Sequence, residues 1–333
     1  MATELRLGTR GSQLALWQAN TVKRRIEETG GPTCRIVVIK TSGDRLQEAP
    51  LSDVGGKRLF VKEIEDALLK GEVDLAVHSS KDMPAVLPDG LTIAGVLPRE
   101  DPRDAVVLPV TAEGGGPFAL SSVSELVAKL GESPSIGTGS VRRIAQLTRL
   151  MPGASFTPIR GNLDTRLRKL DDGAHDALVL AAAGLRRLGF ASRITMTLPA
   201  DACVPAPGQG IVAIEVRDGD EDTRRAIARF EDAAAAAALR AERSLVEALG
   251  GGCQTPIGAL ATPVDADMLE LVATVVALDG SCAFHERRRG PTSDAAALGA
   301  DVARRLLERG AGDILADARQ SSVGGHQSSV EQP

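Results

Sequence analysis

What most constrains the fold is an alternation. Short apolar runs end in polar turns, and each turn opens an amphipathic helix. Leu5-Arg6-Leu7-Gly8 reads as a strand, followed by Thr9-Arg10-Gly11-Ser12 and a helix to about Glu28. Leu14, Trp17, Val22 and Ile26 give that helix its apolar stripe, and Ser12 is placed to cap it. Residues 35–39 form a second strand, and residues 73–77 a third that ends in His78-Ser79-Ser80-Lys81-Asp82-Met83-Pro84. The pattern resumes at Ser135-Ile136-Gly137, with a helix capped by Ser140 and faced by Val141, Ile144 and Leu147. Ile159-Arg160-Gly161-Asn162 opens another helix, and the buried strand 177–183 runs into Gly184-Leu185-Arg186-Arg187. Alternation of this kind predicts α/β layers whose ligands sit at the carboxyl ends of the strands. The Lys81-Asp82 pair is then a candidate site, or a plain turn before a proline.

Charge is distributed unevenly. The net charge of the chain is -5, which offers polyanions no general attraction. Between Ser140 and Arg193, however, nine Arg and one Lys face four Asp and no Glu, a local excess of +6. Arg10, Arg142, Arg143, Arg160 and Arg187 fall at the starts of elements, and Arg166 lies close behind. A cation at the positive end of a helix dipole is unfavourable unless an anion compensates both. Ordinary solvated faces are the alternative. The dipole argument favours a polycarboxylate or phosphate gripped by guanidinium forks. On that argument, Arg142→Leu or Arg160→Leu should leave the empty fold unharmed or slightly firmer.

A second focus is Gly250-Gly251-Gly252-Cys253-Gln254-Thr255-Pro256-Ile257-Gly258. Residues 232–249 read as a helix with Leu239, Val246 and Leu249 on one face, and Gly250 suits its end. Cys253 then follows three residues without side chains, which exposes a thiol to something bulky. A small buried residue in a tight turn is the competing reading. Cys34, Cys203, Cys253 and Cys282 form no C-x-x-C pair, so neither a disulfide framework nor a zinc site is expected. With six Phe, one Trp and no Tyr, the stacking platforms of single-strand nucleic-acid binders are missing. No P-loop and no complete G-x-G-x-x-G occurs. No apolar run reaches membrane-spanning or signal-peptide length, which leads to the expectation of a cytoplasmic protein without membrane or nucleic-acid partners.

Three further stretches organise the chain. Residues 47–58 have Pro50, Gly55 and Gly56 and little periodicity, and read as a mobile lid leading into a helix through Leu69. The run 109–117, with three consecutive glycines, marks a boundary or insertion. Pro205-Ala206-Pro207-Gly208-Gln209-Gly210 is a rigid turn before strand 211–216, which could return to the first sheet and make the turn a hinge. Beyond Cys253, strands near 258–261, 269–278 and 281–288 are joined in part by Asp279-Gly280, a hairpin signal. A helix over 293–308 follows. From Gln320 the chain is polar and Gly/Ser-rich, a composition expected to be disordered.

Four motifs in this order carry a family resemblance: Val77-His78-Ser79-Ser80-Lys81-Asp82-Met83-Pro84, Gly139-Ser140-Val141-Arg142-Arg143, Arg160-Gly161-Asn162, and Gly251-Gly252-Cys253-Gln254-Thr255-Pro256-Ile257-Gly258. They resemble the porphobilinogen deaminase (hydroxymethylbilane synthase) family from Leu5 to about Ala316. The resemblance implies an α/β protein of three domains. Residues 1–102 plus 211–230 and residues 103–210 would form two similar doubly wound mixed sheets, as in type II periplasmic binding proteins. Residues 231–318 would form a small antiparallel sheet with helices on one face, and 319–333 a disordered tail. It also implies a monomer that joins four porphobilinogens head to tail with release of ammonia, on a dipyrromethane cofactor thioether-linked to Cys253. Asp82 would be catalytic. Lys81, Asp44, Ser140, Arg142 and Arg143 would hold the cofactor, and Arg10, Ser12, Arg160, Arg166, Arg187 and Gln209 the substrate. Lys57 and Phe60 would belong to the lid, and no metal is implied. Two departures are Pro207, where a small aliphatic residue is usual, and the long 109–117 stretch. A two-lobed binding module for a small polycarboxylate is the rival, and a cysteine-dependent acyltransferase a third reading. A simple binder would have no need of the Cys253 loop.

Overall fold

The computed structural model describes residues 4–45, 61–110, 119–252 and 254–324. The chain begins with β1 (Glu4–Thr9), α1 (Gln13–Glu28), β2 (Thr33–Val38), the single turn α2 (Ser42–Arg45), α3 (Lys62–Leu69), β3 (Leu75–Ser79) and β4 (Leu91–Val96). It then crosses into β5 (Asp104–Val107), α4 (Val123–Leu130), β6 (Ser135–Gly137), α5 (Val141–Leu150) and β7 (Ser155–Thr157). This part closes with α6 (Leu163–Asp171), β8 (Ala177–Ala181), α7 (Ala182–Arg187) and β9 (Met196–Thr197). A second crossing leads to β10 (Val212–Arg217) and α8 (Glu221–Ala228). Last come α9 (Ala233–Ala248), β11 (Ile257–Pro263), β12 (Met268–Val276), β13 (Ala283–Pro291), α10 (Ala295–Glu308) and α11 (Ala311–Gly324).

Two five-stranded sheets share one plan. The first has the order β2-β1-β3-β10-β4 and the second β7-β6-β8-β5-β9. In each, the first three strands are parallel and the fourth runs antiparallel to both neighbours. Those fourth strands, β10 and β5, are the ones the chain enters by crossing between sheets. Helices cover both faces, as buried parallel strands require. On the first sheet, Leu7, Val77 and Ile214 pack with Val22, Ile26 and Ile227 on one side. Ala76 and Leu91 meet Ile64 and Leu68 on another, and Ala213 meets Ala236 and Leu239 of α9. The second sheet is lined by Leu126, Ile136, Leu147 and Val179 on one face and by Leu167, Leu178 and Leu185 on the other. The third sheet, β11-β12-β13, is antiparallel and packs one face against Leu245, Val302, Leu306 and Leu315.

The two crossings lie against each other. Glu100 N donates to Gly210 O at 3.0 Å, and Arg99 Nε to Gln209 O at 2.9 Å. Glu242 of α9, fully buried, ties both to the third sheet. It accepts from Arg99 Nη1 at 2.6 Å, from Gly208 N at 2.5 Å and from Ala261 N at 2.7 Å. Gly208 has φ +72, and a Cβ there would meet Ser80 Oγ at 2.5 Å, so close approach and backbone conformation both demand glycine. Strand β10 does return to the first sheet, between β3 and β4.

Some boundaries move. The strand read over 177–183 ends at Ala181, and helix begins at Ala182, whose N–H donates to Arg103 O at 3.0 Å. The C-terminal helix α11 runs to Gly324, past Gln320 where composition predicts disorder. The 109–117 stretch falls almost wholly outside the described residues. No helix among those residues is long and apolar enough to cross a membrane.

Candidate active site

The parallel strands of both sheets deliver the predicted residues at their carboxyl ends. From β1 comes half-buried Arg10, followed by Ser12, whose hydroxyl caps α1 by accepting from Ala15 N at 3.3 Å. From β3 come half-buried Lys81 and exposed Asp82, in a single turn of 3-10 helix. From β6 comes Ser140, which caps α5 by accepting from Arg143 N at 3.5 Å and leads to Arg142 and Arg143. Beyond β7 is Arg160, with Arg166 in α6, and beyond β8 is Arg187. One cleft between the three sheets is lined by Lys81, Ser140, Arg142, Pro207, Arg243 and Gly252.

The charge argument meets a correction here. Arg142 and Arg143 do have a compensating anion, and the chain supplies it. Asp104, at the start of β5, is 0% exposed. Its Oδ2 accepts from Arg142 Nη1 at 2.7 Å, and its Oδ1 from Arg142 Nη2 at 3.2 Å, Arg143 Nε at 2.9 Å and Gln209 Nε2 at 3.0 Å. Although burial opposes its ionisation, Arg142 and Arg143 hold its carboxyl far below the usual carboxylate range. Arg142 also donates to Val204 O at 2.7 Å and Arg143 to Val179 O at 2.9 Å. The counted window opened at Ser140 and so missed this residue. A charged side chain at the head of the apolar run Ala105-Val106-Val107 was the signal that could have found it.

Removal of Arg142 therefore cannot be neutral to the fold. Arg142→Leu should cost about 3 kcal/mol, the range for breaking a buried ion pair from one side. Arg160→Leu, half-buried and on a loop, should cost under about 1 kcal/mol. Urea titration of the two variants checks this, and equal midpoints would refute it.

Gln209 needs the same correction. It is 1% exposed, and its amide donates to Pro102 O at 2.6 Å and to Asp104 while accepting from Lys81 Nζ at 3.4 Å. Both amide hydrogens are committed within the crossing, which leaves none for a substrate. Arg187 likewise donates to Gly210 O at 2.7 Å and stacks over Trp17, 5.4 Å from its ring centre.

The remaining cations crowd one another. Burial lowers the Arg166 pKa, and Arg143 and Arg160 lower it further, while Asp82 acts in the other direction. Lys81 is pushed down to about 8, first by desolvation, with Arg143 and Arg142 adding to that and Asp82 and Asp104 opposing it. Asp82 thus lies within electrostatic reach of both Lys81 and Arg166. Arg142 Nε is buried without a hydrogen-bond partner among the described residues. Such a cluster suits a ligand bearing several carboxylates.

The loop predicted to present a thiol is anchored at both ends. Helix α9 finishes with Gly251 N donating to Val246 O and Gly250 N to Glu247 O, both at 2.9 Å, with Gly250 at φ +60. That is the Schellman pattern of helix termination. Next, Thr255 N donates to Gly252 O at 3.0 Å, and Gly252 N to Thr255 Oγ1 at 3.1 Å. The three glycines have different reasons. Gly250 needs its backbone conformation, and a Cβ on Gly251 would strike Ile257 at 2.4 Å, whereas one on Gly252 would meet nothing within 4 Å among the described residues. Cys253 itself lies outside the described residues, as do Lys57, Phe60 and the side chain of Asp44. Cys34 and Cys203 are buried, their thiols pushed up by desolvation to about 11 and about 12, and Cys282 is exposed.

Known proteins match this arrangement over most of its length. The profile of the porphobilinogen deaminase dipyromethane cofactor binding domain matches residues 5–225, and that of the porphobilinogen deaminase C-terminal domain residues 236–308. The porphobilinogen deaminase of Geobacter metallireducens is 45% identical over 96% of this chain and 96% of its own. That of Syntrophotalea carbinolica is 46% identical over 95% and 96%. Among solved structures, a double mutant of the Bordetella pertussis BvgS VFT2 domain aligns with 68% of this chain and 86% of its own, at 16% identity and TM-score 0.39. On the profiles and the near-full-length relatives, the chain belongs to the porphobilinogen deaminase family.

Proposed function

We propose that the chain is a transferase, a hydroxymethylbilane synthase of tetrapyrrole biosynthesis, working as a monomer in the cytoplasm. It joins four porphobilinogen molecules head to tail, releases one ammonia for each, and frees the linear tetrapyrrole by hydrolysis, water supplying the terminal hydroxyl. The observation that carries this reading is the convergence of Lys81, Ser140, Arg142 and Gly252 on one cleft between three sheets.

The residues present fit a dipyrromethane. Its acetate and propionate groups would answer the mutual repulsion of Arg143, Arg160 and Arg166 and the unpartnered Nε of Arg142. Among the described residues nothing crowds Gly252, which supports a bulky group in this loop. Linked through a thioether to Cys253, the dipyrromethane would supply the pyrrole carbon from which the product grows. Lys81, Ser140, Arg142 and Arg143 would hold its carboxylates. Arg10, Ser12, Arg160, Arg166 and Arg187 would take those of the incoming porphobilinogen. Asp82 stabilises the positive charge that develops on the substrate pyrrole as ammonia leaves, and assists the proton transfers. No observation favours the polycarboxylate-binding module over this reading.

Intact mass tests it. Protein from a host that makes porphobilinogen should carry an adduct of two pyrrole units on the peptide containing Cys253. Reductant should not release it, because a thioether does not exchange with thiols as a disulfide does. Unmodified protein after exposure to porphobilinogen, or an adduct on Cys34, Cys203 or Cys282, would overturn the assignment.

A further inference from the structure

We propose that Asp104 is a positioning residue for the proposed transferase: its buried carboxylate fixes Arg142 and Arg143 in the orientation in which they receive the carboxylates of the dipyrromethane. The inference rests on the reading above. Contacts to one carboxylate from Arg142 Nη1 and Nη2, Arg143 Nε and Nη2, Gln209 Nε2 and Cys203 Sγ leave the two guanidiniums no freedom to turn. Asp104 does not line the cleft, whereas Arg142 and Ser140 do. Arg142 is only 4% exposed, and the contacts to Asp104 use its Nη atoms, leaving Nε without a partner among the described residues. That orphaned donor is the feature a purely structural ion pair does not require, since a buried pair is stabilised most when every donor is satisfied.

The same carboxylate also reaches the crossing. Gln209 links Asp104 to Lys81 Nζ, so one residue of β5 orders the arginines of the second sheet and the lysine of the first. Among the described residues, the charged groups acting on Lys81 include Asp82, Asp104, Arg142 and Arg143. With its pKa near 8, the lysine is cationic below that pH and neutral above it. Asp104 favours the cation, so its neutralisation should carry the loss of that charge to lower pH.

The test follows loading of the full-length chain, prepared without its dipyrromethane and given porphobilinogen, by intact mass over time and pH. Asp104→Asn should load about a hundredfold more slowly, the scale set by misplacing a binding group by an ångström. Its loading should also fall off at lower pH than in the wild type. Leu126→Ala, in the core of the second sheet, serves as the control for lost stability and should load at the wild-type rate. Should Asp104→Asn fail to fold, Asp104→Glu keeps the charge but displaces both arginines. It should load about tenfold more slowly with the alkaline fall-off unmoved. Wild-type loading by the Asn variant, or by Asp104→Glu where that variant has to stand in, overturns the positioning role. Equal slowing in Leu126→Ala overturns it as well. A wild-type chain that does not load overturns the functional reading instead.

Discussion

Cys253→Ser should give protein of bare polypeptide mass and turnover below about one-thousandth of wild type, since an alcohol is a far weaker nucleophile at neutral pH. The fold should be untouched. Serine replaces sulfur with oxygen, and the loop is held from its flanks, by the end of α9 and by the Gly252–Thr255 turn. No other thiol can substitute. Cys34 and Cys203 are buried, and raised pKa values of about 11 and about 12 keep them protonated at neutral pH. Cys282 is exposed, but it sits at the head of β13 without the glycine frame. Mass spectrometry, a thermal melt and an assay of tetrapyrrole formation check the three parts together. Retention of the adduct in Cys253→Ser would remove this residue from the mechanism.

Asp82→Asn should reduce turnover by about a hundredfold or more while substrate binding changes little, because the arginines still hold the carboxylates. Asp82 is exposed at the end of β3 and acts through space on Lys81 and Arg166. Asparagine preserves the shape of the turn and deletes only the charge. Single-turnover rates against bound substrate separate the two effects. A loss within about threefold, under about 1 kcal/mol of barrier, would make Asp82 a turn residue before Met83-Pro84.

Much of the first two sheets was legible because their strands are short, buried and bounded by turns. Ser12, Ser140 and Gly250 do what their residue types predict at helix ends. Strands β4, β5, β7 and β9 were not read. Ser155-Phe156-Thr157 and Met196-Thr197 are too short for periodicity to register, and β5 is a four-residue strand directly behind the turn-type residues Asp101-Pro102-Arg103. At the site, sequence found the arginines through their position but not their partner. A helix-dipole argument counts charges along the chain, whereas Asp104 reaches Arg142 across 38 residues. For Gln209 the family resemblance implied a substrate contact, whereas its amide hydrogens go to Pro102 O and Asp104, partners more than a hundred residues away in the chain.

The order of strands also has a consequence for how the molecule is made. Strand β10 is interior to the first sheet, between β3 and β4, yet it is encoded after the whole of the second sheet. During synthesis, which delivers about 5–20 residues per second, β3 and β4 leave the ribosome without the strand that separates them. The second sheet, continuous from β5 to β9, is complete first. The N-terminal unit must wait with an open slot lined by Val77 and Leu97, whose eventual neighbours in the same core include Val212 and Ile214. A released chain that ends before residue 211 should therefore bind hydrophobic chaperones through its first sheet, while its second is already closed.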